Sequence, residues 1–315
     1  MGELIRYDSQ AWAGLKALVL DSVASPHSKR AYKSGLDAFL FWYRAAFRGP
    51  ISKAVVQAYK LELERSGLSA STINQRLAAI RKLVSEAADN GLIPAALAAG
   101  VAKVKGAARH GVRIGNWLDC TQAERLLNAP DSGTITGKRD RAILAVLIGC
   151  GLRRSEVAAL DFQHIQLRDG RWVVIDLIGK HGRIRSIPMP VEAKAAIDDW
   201  TSAAGIRTGR VFRPINKGGR LTHESLTEKC IWWVLRKYAA GVGMPNLAPH
   251  DLRRTYAKLA RRGGAALEQI QLSLGHASIQ TTEVYLGSTQ DLKDAPCDHL
   301  NLNWEPSSGN SQRAA

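Results

Sequence analysis

"IQLRDGRWVVIDLIGKHGRIRSIPM", residues 165–189, is where the chain changes its period. An Asp-Gly pair at 169–170 separates two runs rich in β-branched and apolar residues, and a second turn is expected around 180–183. Tight hairpin turns need φ > 0 at their central residues, a geometry that Asp-Gly accepts, so this stretch predicts a three-stranded antiparallel meander. The sequence on either side is helical. "KRDRAILAVLIGCGLRRSEVAAL", 138–160, predicts a buried helix, a glycine break at 149–151 and a short second helix. In "LDCTQAERLL", 118–127, Thr121 and Glu124 have capping-box spacing and mark a helix start. From 191 onward the pattern is helical again.

Residues 9 to about 99 read as helical throughout. "SPHSKRAYKSGLDAFLFWYRAAF" opens on Ser-Pro punctuation and places Tyr32, Leu36, Phe39, Leu40 and Tyr43 at helical spacing. "SASTINQRLAAIRKLVSEAADNGL" starts with Ser/Thr caps, carries Ile73, Leu77, Ile80 and Val84 on one face, and meets a stop at Gly91. Between the halves, "AAGVAKVKGAARHGVRIGN", 98–116, lacks an apolar period and reads as a flexible, basic linker. The expected organisation is a helical domain over 1–105, a linker over 106–116, an α+β domain over 117–287 and a tail over 288–315. The fold class is mostly α with a small antiparallel β-meander.

A chain of 315 residues is comfortable for two domains and can bury a core without disulfides. Forty-four Lys and Arg against 28 acids give a net charge of +16, and the surplus is shared by both halves, as a single basic tail would not produce. Such a surplus favours a polyanionic partner, of which nucleic acid is the commonest. No run of apolar residues is long enough for a membrane span. The N-terminus lacks the pattern of a secretory signal. Cys120, Cys150, Cys230 and Cys297 are far apart and form no C-x-x-C pair, so a zinc knuckle or redox motif is not expected and a reducing cytoplasm is the simple reading.

Several polar residues could carry chemistry, and each has a plainer alternative. Arg153 follows the glycine break at the start of a short helix, where an arginine and free backbone N–H groups make an anion site, but an ordinary surface arginine looks the same. Glu156, one turn on, could hold it. Lys180 sits on a hairpin tip and is either solvated or a proton donor. His250 and Arg253, three apart after Pro249, project from one helix face, although His250 could be a cap or a core residue. His276 and Tyr285 bracket a short helix capped by Ser278, where a tyrosine is commonly packing. Arg254 lies one position round the helix from Arg253. No metal-ligand spacing appears among these residues. Taken together, the set suits attack of a tyrosine on a phosphodiester. Bidentate arginines would neutralise the non-bridging oxygens, and a phenol with an ordinary pKa near 10 would need deprotonation. A lysine or histidine would protonate the departing 5′ oxygen.

"GLRRSEVAAL", "GKHGRIRSIP", "HDLRRTYA" and "LGHASIQTTEVYL" resemble, in this order, the motif boxes of the tyrosine recombinases, the phage-integrase family. The N-terminal helices resemble that family's core-binding domain. The resemblance implies a two-domain DNA clamp and a site-specific recombinase that needs no metal or nucleotide cofactor. Arg153 and Arg253 would clamp the scissile phosphate, His250 and His276 would donate to it, and Lys180 would be the general acid. Tyr285 would be the nucleophile of a 3′-phosphotyrosyl intermediate, with Glu156 supporting the first arginine. It further implies double-stranded DNA partners, a homo-tetramer that passes through a four-way junction, and a role for accessory proteins in some members. Leu292, Leu300 and Trp304 of the tail would dock on a neighbouring subunit. Arg254 stands where many members carry histidine, Tyr256 where many carry phenylalanine, and the lysine turn departs from the Gly-Lys-Gly form. A clamp that binds without cutting, or a type IB topoisomerase-like enzyme, would share parts of this pattern.

Overall fold

The computed structural model describes residues 9–46, 50–108, 116–179 and 182–286. Its contacts divide the chain into two units, Met1–Val112 and Arg113–Ala315. Among the described residues no helix is long and apolar enough to cross a membrane. The tail positions Leu292, Leu300 and Trp304, together with Cys297, lie outside the described residues, as does Lys180.

The first unit is a helical bundle of α1 (Ser9–Asp21), α2 (Pro26–Ala46), α3 (Lys53–Arg65), α4 (Ala70–Asp89) and α5 (Ala95–Ala102). Ser52 and Ser69 cap α3 and α4 by accepting from Val55 N and Thr72 N, which satisfies N–H groups the helices leave open. The predicted stripe Ile73, Leu77, Ile80 and Val84 is buried and meets an aromatic cluster in which Phe39 contacts Tyr59 edge-on at 5.1 Å and stacks on Tyr43 at 5.8 Å.

The linker reading of 98–116 does not hold over its first half. Residues 98–102 belong to α5, Val101 and Val104 are buried, and Asn74 clamps Ala107 with two hydrogen bonds, Nδ2 to the carbonyl at 3.0 Å and Oδ1 from the N–H at 2.7 Å. Arg81 also donates to the Val104 carbonyl. Alanine-rich backbone packs closely with few large side chains, so valines and one amide supply an anchorage that hydrophobic periodicity does not display. The first unit accordingly extends beyond residue 105.

The second unit opens on α6 (Cys120–Asn128). Its capping box is Asp119 with Gln122, two residues before the expected Thr121/Glu124 pair, because Asp119 Oδ1 accepts from Gln122 N at 2.7 Å. Next, α7 (Ile135–Gly149) is the core helix, with Ile143, Leu144, Val146 and Leu147 wholly buried. The chain breaks at Gly149–Gly151 and restarts as α8 (Arg154–Ala158). The meander is β1 (Ile165–Arg168), β2 (Arg171–Ile178) and β3 (Ile184–Pro188), antiparallel in the order β1-β2-β3. Asp169 and Gly170 take φ of 48° and 73°, the positive pair a tight hairpin requires.

After the sheet, α9 (Val191–Ala203) packs on α7. The helical reading beyond 191 fails over 204–227, which is irregular apart from the bridges Asp161–Arg210 and Ile215–Leu221. Then come α10 (Glu228–Ala239), α11 (Pro249–Arg262), α12 (Leu267–Leu274) and α13 (Ile279–Leu286). Ala257, Ile270, Leu274 and Leu286 form a small apolar cluster that binds these last helices together, with Tyr256 and Tyr285 at its margin.

Gly151 has φ +58°, and a β-carbon there would lie 2.6 Å from the Tyr256 ring. Gly151→Ala should therefore lower stability by about 2 kcal/mol through backbone strain and overlap. Gly241→Ala, at a position with open space around it, should leave the melting temperature nearly unchanged. Thermal unfolding of the two variants checks the contrast.

Candidate active site

The site begins with the break that ends α7. Arg153 is the N-cap of α8, in extended conformation at φ −72° and ψ 152°, and Glu156 returns one turn later to accept from its backbone N–H at 2.7 Å. The other Glu156 oxygen takes Arg153 Nη1 at 2.8 Å. Arg185, from β3, grips the same carboxylate with Nη1 at 2.9 Å and Nη2 at 2.7 Å. Burial by itself would raise the Glu156 carboxyl, but the hydrogen bonds and charges of Arg185, with those of Arg153, outweigh it and hold the group at about 2.

Arg253 reaches this cluster from α11 and is 2 % exposed. Its Nη1 donates to the Gly151 carbonyl at 2.5 Å and its Nη2 to the Leu274 carbonyl. Arg153 Nη2 donates to the same Leu274 oxygen at 3.3 Å, so one carbonyl at the end of α12 fixes two guanidinium groups side by side. Arg185 Nε takes the preceding carbonyl, Ser273, at 2.9 Å. Gly275 permits this approach: its φ is +60°, and a β-carbon would lie 2.8 Å from Arg185 Cδ. Burial first, then the Arg153 charge, lowers the Arg253 guanidinium to about 10. Two guanidiniums thus share one carboxylate and a third, Arg253, stands beside them on backbone carbonyls, an excess of positive charge suited to an anion.

Tyr285, on α13, stands against this cluster, half-buried. Its ring meets His250 edge-on at 5.2 Å and His276 edge-on at 5.3 Å, and the Arg254 guanidinium lies over it at 5.0 Å from the centroid. The phenol donates to the His250 backbone carbonyl at 3.1 Å. His276 Nδ1 shares a hydrogen bond of 2.9 Å with the buried Thr282 hydroxyl, which sets the ring's orientation. Burial, followed by Arg253 and Arg153, pushes His276 down to about 4. Burial, followed by Arg254 and Arg253, lowers His250. Burial also raises Tyr285 to about 12, outweighing the nearby arginines that favour its phenolate. At neutral pH the site therefore holds a neutral phenol and two neutral imidazoles beside fixed cations.

Arg153, His250, Arg253, His276 and Tyr285, drawn from three of the four quoted stretches of sequence, lie in this one site. Arg185 was not among the residues picked from the sequence. Its signal was its parity with the buried Ile187, which puts both on the inward face of β3.

Residues 116–291 match the model of the family described as "Phage integrase family", and residues 15–91 match "Phage integrase, N-terminal SAM-like domain". The chain is 30% identical over 282 residues to tyrosine recombinase XerD of Ralstonia nicotianae, covering 85% of this chain and 86% of that one. It is 28% identical over 285 residues to tyrosine recombinase XerC of Thermodesulfovibrio yellowstonii, covering 86% and 89%. Among solved structures, a lambda integrase dimer bound to a COC′ core site superposes with a TM-score of 0.67 at 16% identity, over 89% of this chain and 77% of that one. XerH bound to a palindromic difH substrate, a post-cleavage complex, gives 0.64 at 16% identity, over 91% and 88%.

Replacing Glu156 by Gln should leave Arg153 and Arg185 without their shared counter-charge and cost about 3 kcal/mol. Because the carboxyl's folded value of about 2 lies below its ordinary 4.5, its stabilisation is complete above pH 4.5 and is lost as pH falls toward 2. Unfolding midpoints measured across that range should slope in the wild type. The Glu156→Gln variant should lose this group's share of the slope.

Proposed function

The chain belongs to the phage integrase family of tyrosine recombinases, and from that premise we propose that it is a site-specific DNA recombinase that cuts and rejoins DNA through Tyr285. The observation that carries the reading is the placement of the Tyr285 phenol beside Arg153, Arg253 and two neutral histidines within one unit of one chain.

In this reading Arg153 and Arg253 hold the two non-bridging oxygens of a backbone phosphate, neutralising charge that grows as the phosphorus becomes five-coordinate. Tyr285 forms a bond to phosphorus, the bond from phosphorus to the 5′ oxygen breaks, and a 3′-phosphotyrosyl ester stores the bond energy. The phenolic proton passes to a neutral imidazole, His250 or His276. A bound phosphate raises the basicity of both, because an opposite charge favours their protonated form. Lys180 protonates the departing 5′ oxygen. Its chain neighbour Gly179 supports this role, since a β-carbon on Gly179 would sit 3.5 Å from Arg153 Nη1. Reversal of the step with a 5′-hydroxyl from a second duplex exchanges strands, and two such rounds pass through a four-way junction in a tetramer. The +16 charge suits the double-stranded DNA this requires.

The test uses a pool of nicked duplexes of random sequence. Wild-type protein should leave a DNA adduct that survives SDS and boiling, and Tyr285→Phe should leave none. Arg253→Lys should slow adduct formation by about a hundredfold or more, by comparison with the loss of a preorganised donor at other anionic transition states. An adduct that persists in the Tyr285→Phe variant would overturn the assignment.

A further inference from the structure

One face of α11 carries a second ordered set of cations. Arg254, Lys258 and Arg262 recur every four residues and so share a helix face. Each lies over an aromatic ring: Arg254 at 5.0 Å from the Tyr285 centroid, and Lys258 and Arg262 at 4.8 Å and 4.5 Å from that of Trp117. Trp117 is held in place by the next residue, because the Leu118 N–H donates to the buried Thr255 hydroxyl of α11 at 2.9 Å. The rings give long side chains a fixed bed and reduce the entropy lost when they meet a ligand.

Among the described residues neither Lys258 nor Arg262 has an ion-pair partner. Burial first, then the neighbouring charges of Arg262 and Arg254, lowers the Lys258 ammonium. Lys194 shows the contrasting arrangement. It lies over the Trp172 ring at 4.1 Å, but it also pairs with Asp198 at 2.6 Å.

We propose that the Arg254–Lys258–Arg262 face of α11 is a phosphate-binding ridge that takes the DNA backbone next to the phosphate attacked by Tyr285. The proposal rests on the reading of Tyr285 as a DNA nucleophile. Arg254, stacked on that residue, is where the ridge joins the site. A helix rises about 1.5 Å per residue, so the row covers about 12 Å. Phosphates of one strand follow at about 3.4 Å of axial rise, so the row spans about three successive steps. These contacts read no sequence. They fix the register of the strand against the nucleophile.

The experiment measures binding of the full chain to a fluorescent duplex across a salt series. Lys258→Gln and Arg262→Gln should each make the log–log slope shallower by about 0.9, and the double variant by about twice that. Lys194→Gln, which removes a charge already paired, should keep the wild-type slope. Trp117→Leu should weaken binding with the charge count unchanged. Melting temperatures close to wild type show that each variant is folded. Slopes for Lys258→Gln and Arg262→Gln equal to that of Lys194→Gln would overturn the ridge. The wild-type adduct assay separates the two ideas: an adduct with unchanged slopes removes the ridge alone, whereas no DNA binding by the wild type removes both.

Discussion

A single carboxylate decides whether this site can exist. Three guanidiniums crowd one another at the junction of α8, β3 and α11, and like charges at that density would separate without a counter-charge. Glu156 supplies it, with both oxygens spent on Arg153 and Arg185, while the carbonyls of Gly151, Ser273 and Leu274 take the remaining donors described there. The carbonyls of Ser273 and Leu274 lie at the close of α12, where a helix leaves oxygens unpaired, and that of Gly151 lies in the break after α7. The fold therefore meets two needs with the same atoms: helix ends are satisfied, and the arginines are oriented before any ligand arrives.

Tyr285 is governed by a competition of different origin. Burial against the small apolar cluster of α11, α12 and α13 favours the neutral phenol, and the neighbouring arginines favour the phenolate. Burial wins, so the resting phenol is protonated and held by the His250 carbonyl. The same burial keeps both imidazoles neutral, which is the form able to accept a proton. Burial thus sets the phenol and the two imidazoles in complementary states, and a bound anion would raise the basicity of the imidazoles.

The parts of this arrangement that were legible in the sequence are those with local signatures. The Asp-Gly turn, the buried run of α7 and the stripe of α4 follow from turn chemistry and periodicity, and each is present. Arg153, His250, Arg253, His276 and Tyr285 were legible as motif positions, though no local rule says they meet. The readings that failed depend on contacts distant in sequence. The anchorage of Val104 and Ala107 depends on Arg81 and Asn74, and the irregular chain over 204–227 is tied back through the Asp161–Arg210 bridge. Arg185 was hidden for the same reason: a strand shows the parity of a residue but not the carboxylate that waits for it on another element.

The arginine cluster need not be dismantled to bind a phosphate. Each terminal guanidinium nitrogen carries two hydrogens, and the bonds from Arg253 Nη1 and Nη2 to backbone carbonyls use one apiece. The second hydrogens remain to be shared with an anion while the carbonyls hold the plane of the group. A clamp of this kind loses little side-chain entropy on binding and reorganises little as charge develops, which is where such sites gain most over water. It also explains why Arg253, 2 % exposed, has no carboxylate of its own among the described residues. A counter-ion on Arg253 would compete with a bound anion, whereas neutral carbonyls orient the guanidinium and leave its charge uncancelled.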